Sequence, residues 1–158
     1  MTAGHSSIAE VQALLRVLAA GRRAAEIGTC VGEGAAAIAE TASSLVTVEL
    51  DEERAAAARA RLGAYDNVEL IVGDWHVVLP SRAPFELLFF DGGHWKRDPE
   101  RELPLALELL NANGLLVVDD MTPGFAEPDP VRSFLFEHLV AAEILTTPDT
   151  AAIVAAKR

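Results

Sequence analysis

A chain of 158 residues with 51% hydrophobic and 23% charged residues has the composition of one globular domain with its own core. Its net charge of −11 argues against nucleic acid or an anionic membrane surface as a partner, since both are bound through basic patches. One cysteine, Cys30, rules out an intrachain disulfide. With no basic n-region or apolar h-region in residues 1–7 and no apolar run of membrane-spanning length, the sequence predicts a cytoplasmic protein.

Taken in order, Ser7 is positioned to cap a first helix whose apolar positions Ile8, Val11, Leu14, Leu15 and Leu18 follow helical spacing, with Gly21 as its stop. A strand over about 23–28 follows, then a glycine turn and a helix to about Ala42. The β-branched run Leu45 to Glu49 reads as a second strand. Asp51-Glu52-Glu53 opens a helix with acids at its positive end, and Arg59 and Arg61 sit near its close. Val68 to Val72 is a third strand, and Gly73-Asp74-Trp75 leads into a short segment to Leu79, broken by Pro80 and Pro84. Phe85 to Phe90 is a continuous apolar run of the buried parallel type. A loop from Asp91 to Pro99 precedes a helix of about 100–111 and a fifth strand, Leu115 to Val118, which ends in Asp119-Asp120. After a proline-rich loop over 121–130 comes a helix with Val131, Phe134, Leu135, Leu139 and Val140 on one stripe. The last two strands, Ala142 to Thr146 and Ala151 to Ala155, have only Thr147 to Thr150 between them. That gap is too short for a parallel crossover, so they form an antiparallel hairpin. The pattern predicts a single α/β domain over 1–158: a doubly wound sheet whose final strand runs against the others.

The chemistry gathers at the strand ends. The first turn, Glu26-Ile27-Gly28-Thr29-Cys30-Val31-Gly32-Glu33-Gly34, spaces its glycines differently from the G-x-G-x-x-G of a dinucleotide-binding turn. Gly28, Thr29, Gly32 and Gly34 offer backbone to a ligand, while the carboxylate of Glu26 repels a pyrophosphate and suits a cationic or amino-bearing cofactor. Glu49, about 20 residues on, stands where a ribose-binding acid belongs. Its alternative is the start of a solvated acidic run with Asp51, Glu52 and Glu53. Asp91, Asp119 and Asp120 end neighbouring strands and arrive at one carboxyl edge. Three carboxylates there repel one another unless a cation or a proton intervenes, and oxygen-only ligands select Mg²⁺ first, then Mn²⁺ or Ca²⁺. Cys30 reads as small packing, and His5, His76 and His138 as surface residues.

Five motifs at five successive strand ends carry a resemblance: Glu26-Ile27-Gly28-Thr29, Thr47-Val48-Glu49, Gly73-Asp74-Trp75, Phe90-Asp91-Gly92-Gly93-His94-Trp95-Lys96, and Gly114-Leu115-Leu116-Val117-Val118-Asp119-Asp120. Together they resemble the class I S-adenosylmethionine-dependent methyltransferases over nearly the whole chain, and among these the small catechol-type O-methyltransferases and the related bacterial Asp-Gly-x-His group. The resemblance implies a Rossmann-like sheet of seven strands. It implies S-adenosylmethionine as cofactor, with Glu26 toward its amino-acid end, Glu49 on the ribose and Asp74 with the Trp75 backbone on the adenine. Asp91 then lies beside both the cofactor and a magnesium held with Asp119 and Asp120, the last standing where the family usually has Asn. Lys96 is implied as general base, with His94 as the alternative, on a loop that Gly92 and Gly93 lengthen by two residues.

The expected reaction is methyl transfer to an oxygen of a small molecule. The chain lacks the N-terminal helices and insertions that cover the acceptor in this family, so a second copy of the chain is the expected closure of the site. The alternative is a non-catalytic S-adenosylmethionine-binding module that acts through a partner subunit. An NAD-dependent oxidoreductase is disfavoured by the glycine spacing and the terminal hairpin.

Overall fold

The structure, a computed structural model, describes residues 7–92, 95–124 and 128–158. In chain order the elements are α1 (Ala9–Ala19), β1 (Arg23–Ile27), α2 (Glu33–Ala39), β2 (Ser44–Glu49), α3 (Glu52–Leu62), β3 (Val68–Val72) and α4 (Trp75–Val78). They continue with β4 (Phe85–Phe90), α5 (Pro99–Glu108), β5 (Leu110–Met121), α6 (Pro130–His138), β6 (Val140–Leu145) and β7 (Ala151–Ala156). The seven strands form one sheet in the order β3-β2-β1-β4-β5-β7-β6. β1 to β5 are parallel, and β7 runs antiparallel to both β5 and β6. This is the doubly wound sheet with a reversed last strand that the strand lengths and the short final connection predicted.

Side-chain alternation explains the two layers. Ala24, Leu45, Leu87, Phe89 and Val117 leave one face of the sheet and pack with Val11, Leu15, Ala35, Ile38, Ala58 and Leu62 of α1, α2 and α3. The next residue along each strand (Ala25, Val46, Leu88, Phe90, Val118) faces the opposite way, toward Leu79, Leu103, Ala106, Val131 and Leu135. Both faces of β4 are therefore covered, which is why Phe85 to Phe90 reads as an apolar run without alternation.

Several boundaries differ from expectation. The residue capping α1 is Ile8, with no side-chain bond; Ser7 is buried instead, and its carbonyl accepts from Gln12 Nε2. α5 ends at Glu108 rather than 111, because Leu110 pairs with Phe85 and already belongs to β5. Val140 is not on α6: it pairs with Ala156 as the first residue of β6. No helix among the described residues is long and apolar enough to cross a membrane.

Candidate active site

The carboxyl ends of β1, β2, β4 and β5 open into a cleft of about 710 Å³, completed by α4, the loop at Trp95–Asp98 and the first turn of α5. Its position follows from the topology, since β1 is where the chain reverses direction across the sheet. The floor is a contact between two glycines. A Cβ on Gly28 (φ +90°) would stand 2.2 Å from the Cα of Gly92, and one on Gly92 would stand 2.4 Å from the Cα of Gly28. The amides of Asp91 and Gly92 both donate to the Ile27 carbonyl, so the β1 turn and the β4 loop are joined backbone to backbone.

Glu49 is buried, yet it lines the cleft. Its two carboxylate oxygens accept from the backbone N–H of Cys30 (2.8 Å) and of Asp51 (3.0 Å). Cys30 reaches this bond from the left-handed region (φ 52°), which a non-glycine residue occupies only when its surroundings compensate. It also lines the cleft. Glu49 is thus a fixed acceptor aimed by backbone donors rather than one acid in a solvated run.

Glu26 is only 1% exposed and does not line the cleft. The Thr47 hydroxyl donates to it, and Thr47 and Thr29 share a hydroxyl bond of 2.6 Å. Burial drives the Glu26 carboxyl well above the ordinary range, against the Thr47 bond and with help from the charges of Asp91 and Glu49. The chain Glu26–Thr47–Thr29 knits β1, β2 and the turn from behind. Gly34 is part of the same packing, because a Cβ there would meet Glu26 Oε1 at 2.7 Å. Gly32 (φ +87°) lets α2 begin against Ala58 of α3. Glu26, Thr29, Gly32 and Gly34 therefore shape the turn while Gly28 and Cys30 face the cleft.

Asp91, Asp119 and Asp120 come together, each offering an oxygen within 4.8 Å of the others. A shift of register between Val118 and Met121 in β5 marks a bulge, and Asp120 sits in it at φ 57°. The bulge re-aims consecutive side chains that a regular strand would send to opposite faces. Burial first, then the charges of Asp119 and Asp120, raise Asp91 from 3.8 to about 7, with Lys96 opposing. Asp119 is raised too, by burial above all. Lys96 Nζ donates to the carbonyl oxygens of Asp119 (2.7 Å) and Asp120 (3.2 Å), so the longer loop still returns to the trio. His94 lies outside the described residues.

Asp74 and Trp75 line the same cleft. Asp74 caps α4, and Trp75 sets its edge on Phe90 (5.4 Å), which in turn stacks on the buried Trp95 (4.6 Å). His76, read from sequence as a surface residue, is a cleft residue bonded to Asp74 and, from α5, to Glu102. The Asp-x-His spacing at a helix start carried a signal for the first bond. The second joins residues far apart in sequence and carried none.

Comparison with known proteins agrees with this geometry. A family model described as "Methyltransferase domain" matches residues 25–121. The O-methyltransferase hkm8 of Aspergillus hancockii is 32% identical over 109 residues, which are 64% of this chain and 43% of that protein. The chain thus spans less than half the length of that curated relative. Among solved structures, cofactor-bound Rv0187 from MTB superposes with a TM-score of 0.82 at 27% identity, over 98% of this chain and 83% of the other. The O-methyltransferase TomG from Streptomyces achromogenes, involved in tomaymycin synthesis and solved in complex with SAM, gives 0.72 at 25%, over 94% and 78%. The cleft, the sheet order and the matched segment lead to one conclusion: the chain belongs to the methyltransferase-domain family, on the class I methyltransferase fold.

Proposed function

We propose that the protein transfers a methyl group from S-adenosylmethionine to an oxygen of a small molecule, with a divalent cation held by Asp91, Asp119 and Asp120. The observation that carries this reading is the presence in one cleft of Glu49, a carboxylate already aimed by two backbone amides, and of Asp91 and Asp120, which the buried Asp119 completes as a carboxylate trio. Glu49 suits a pair of ribose hydroxyls, since each oxygen keeps a lone pair beyond its backbone bond. The Asp74 carboxylate and the Trp75 backbone suit an adenine edge. The trio fits a hard divalent ion because all its donors are oxygens and because burial and mutual repulsion leave its charges uncompensated. When bound, the cofactor supplies an electrophilic sulfonium methyl and the ion lowers the pKa of an acceptor hydroxyl.

The chain's own part is alignment and dryness. Trp75 and Trp95 give the cleft an apolar aromatic wall, held from behind by the buried Phe90, and the Gly28–Gly92 contact fixes the β1 turn against the β4 loop. Lys96 and His94 are the candidate proton acceptors. Lys96 braces the β5 bulge through two carbonyls and has to release them to take a proton. That engagement favours the second reading, a cofactor-binding module that acts through a partner subunit.

Calorimetry and a methyl-transfer assay with catechol acceptors test the proposal. The protein should bind S-adenosylmethionine and S-adenosylhomocysteine but not NAD, and Glu49→Ala should weaken binding roughly tenfold or more through lost charged hydrogen bonds. Turnover should require Mg²⁺, stop on chelation and fall in Asp120→Ala. Lys96→Met should lower the rate by about two to four orders of magnitude with cofactor affinity intact. Full activity in chelated protein removes the metal from the reading. Tight cofactor binding without turnover on any acceptor leaves the binding module.

A further inference from the structure

His76 sits between two carboxylates on different elements. Its Nδ1 lies 2.7 Å from Asp74 Oδ1 and its Nε2 lies 2.6 Å from Glu102 Oε2 on α5. Its ring stacks on Trp75 at 3.8 Å. The same Oδ1 of Asp74 also accepts the backbone N–H of His76, so Asp74 Oδ2 has no partner among the described residues. A carboxylate only accepts, so a proton must sit in each of the two gaps for both bonds to form. The charged groups facing the ring are Asp74 on α4 and Glu102 on α5, with Arg101 3.7 Å from Glu102. Glu108 of α5 borders a second, smaller cavity of about 260 Å³ that Trp75 and His76 also line. The imidazole therefore belongs to the wall between two cavities and ties α4 to α5.

Resting on the cofactor reading above, we propose that His76 is a positioning residue for the adenine end of the cofactor. It pins one oxygen of Asp74 and leaves the other directed at an exocyclic amine, and it holds the Trp75 ring and the α4 backbone against α5. Adenine selectivity then depends on a residue that acts through Asp74 rather than through a bond of its own to the exocyclic amine.

The test compares S-adenosylhomocysteine with S-inosylhomocysteine, in which an oxygen replaces the exocyclic amine. Wild type should prefer the adenosyl ligand by about tenfold or more by calorimetry. In His76→Ala that preference should shrink to within about threefold. Adding His76→Ala to Asp74→Asn should change the preference no further, since both act on one contact. Glu102→Ala, which removes the α5 partner of the imidazole, should shrink the preference in the same direction and carries the test if His76→Ala does not fold. A variant that weakens both ligands equally and keeps the preference makes His76 a structural wall only, and overturns the proposal. A wild type that binds neither ligand overturns the cofactor reading itself.

Discussion

Asp120 occupies the left-handed region at a bulge, and Asn and Asp are the non-glycine side chains that tolerate it best. An Asn, which the resemblance to catechol-type enzymes implies at this position, would meet the same backbone demand, so Asp keeps the geometry and adds a charge. That charge bears on Asp91. With a folded pKa of about 7 against 3.8, Asp91 holds its proton more tightly when folded, so its contribution to stability is lost as pH rises from about 4 to 7. Asp91→Asn should therefore melt higher than wild type at pH 8, by about 2 kcal/mol or several degrees, and the gap should close toward pH 4. A divalent ion should raise the melting temperature of wild type and leave Asp91→Asn nearly unmoved. The trio was legible in sequence because each acid ended a predicted strand. The carbonyl grip of Lys96 was not, since it depends on the path of a loop.

Between elements, the decisive contact involves atoms that are missing. Gly28 lines the cleft, and the space a side chain there would need is taken by Gly92 of the β4 loop, which reads in sequence as part of an insertion. Gly28→Ala and Gly92→Ala force a methyl into backbone that cannot retreat and should abolish folding or cost several kcal/mol, visible as loss of the cooperative melt. Gly124→Ala (φ +82°, open space) should cost only about 1–2 kcal/mol, the price of the left-handed backbone alone. Each turn showed its glycine, but nothing in either announced the other. Helix and strand types were legible from periodicity and strand length. Their ends failed where a pairing partner took over, as Phe85 did for Leu110 and Ala156 for Val140.

Across the whole molecule, a net charge of −11 surrounds a cleft whose lining carries more carboxylates (Glu49, Asp74, Asp91, Asp98, Glu102, Asp120) than guanidiniums (Arg54, Arg97, Arg101). S-adenosylmethionine carries one more positive charge than S-adenosylhomocysteine at its sulfur. Raising the salt from about 0.05 M to 0.5 M should therefore weaken binding of the first more than the second, and titrations at both concentrations check this. Glu26, Asp91 and Asp119 are all raised by burial, so the ligand-free fold should gain stability under mildly acidic conditions, with the same sign at three places. The glycine contact has a meaning at this scale too. It joins the end of β1 to the end of β4, and with no side chain between them there is no slack to absorb a shift. A displacement of either turn is handed straight to the other, so the two halves of the cleft floor move as one piece.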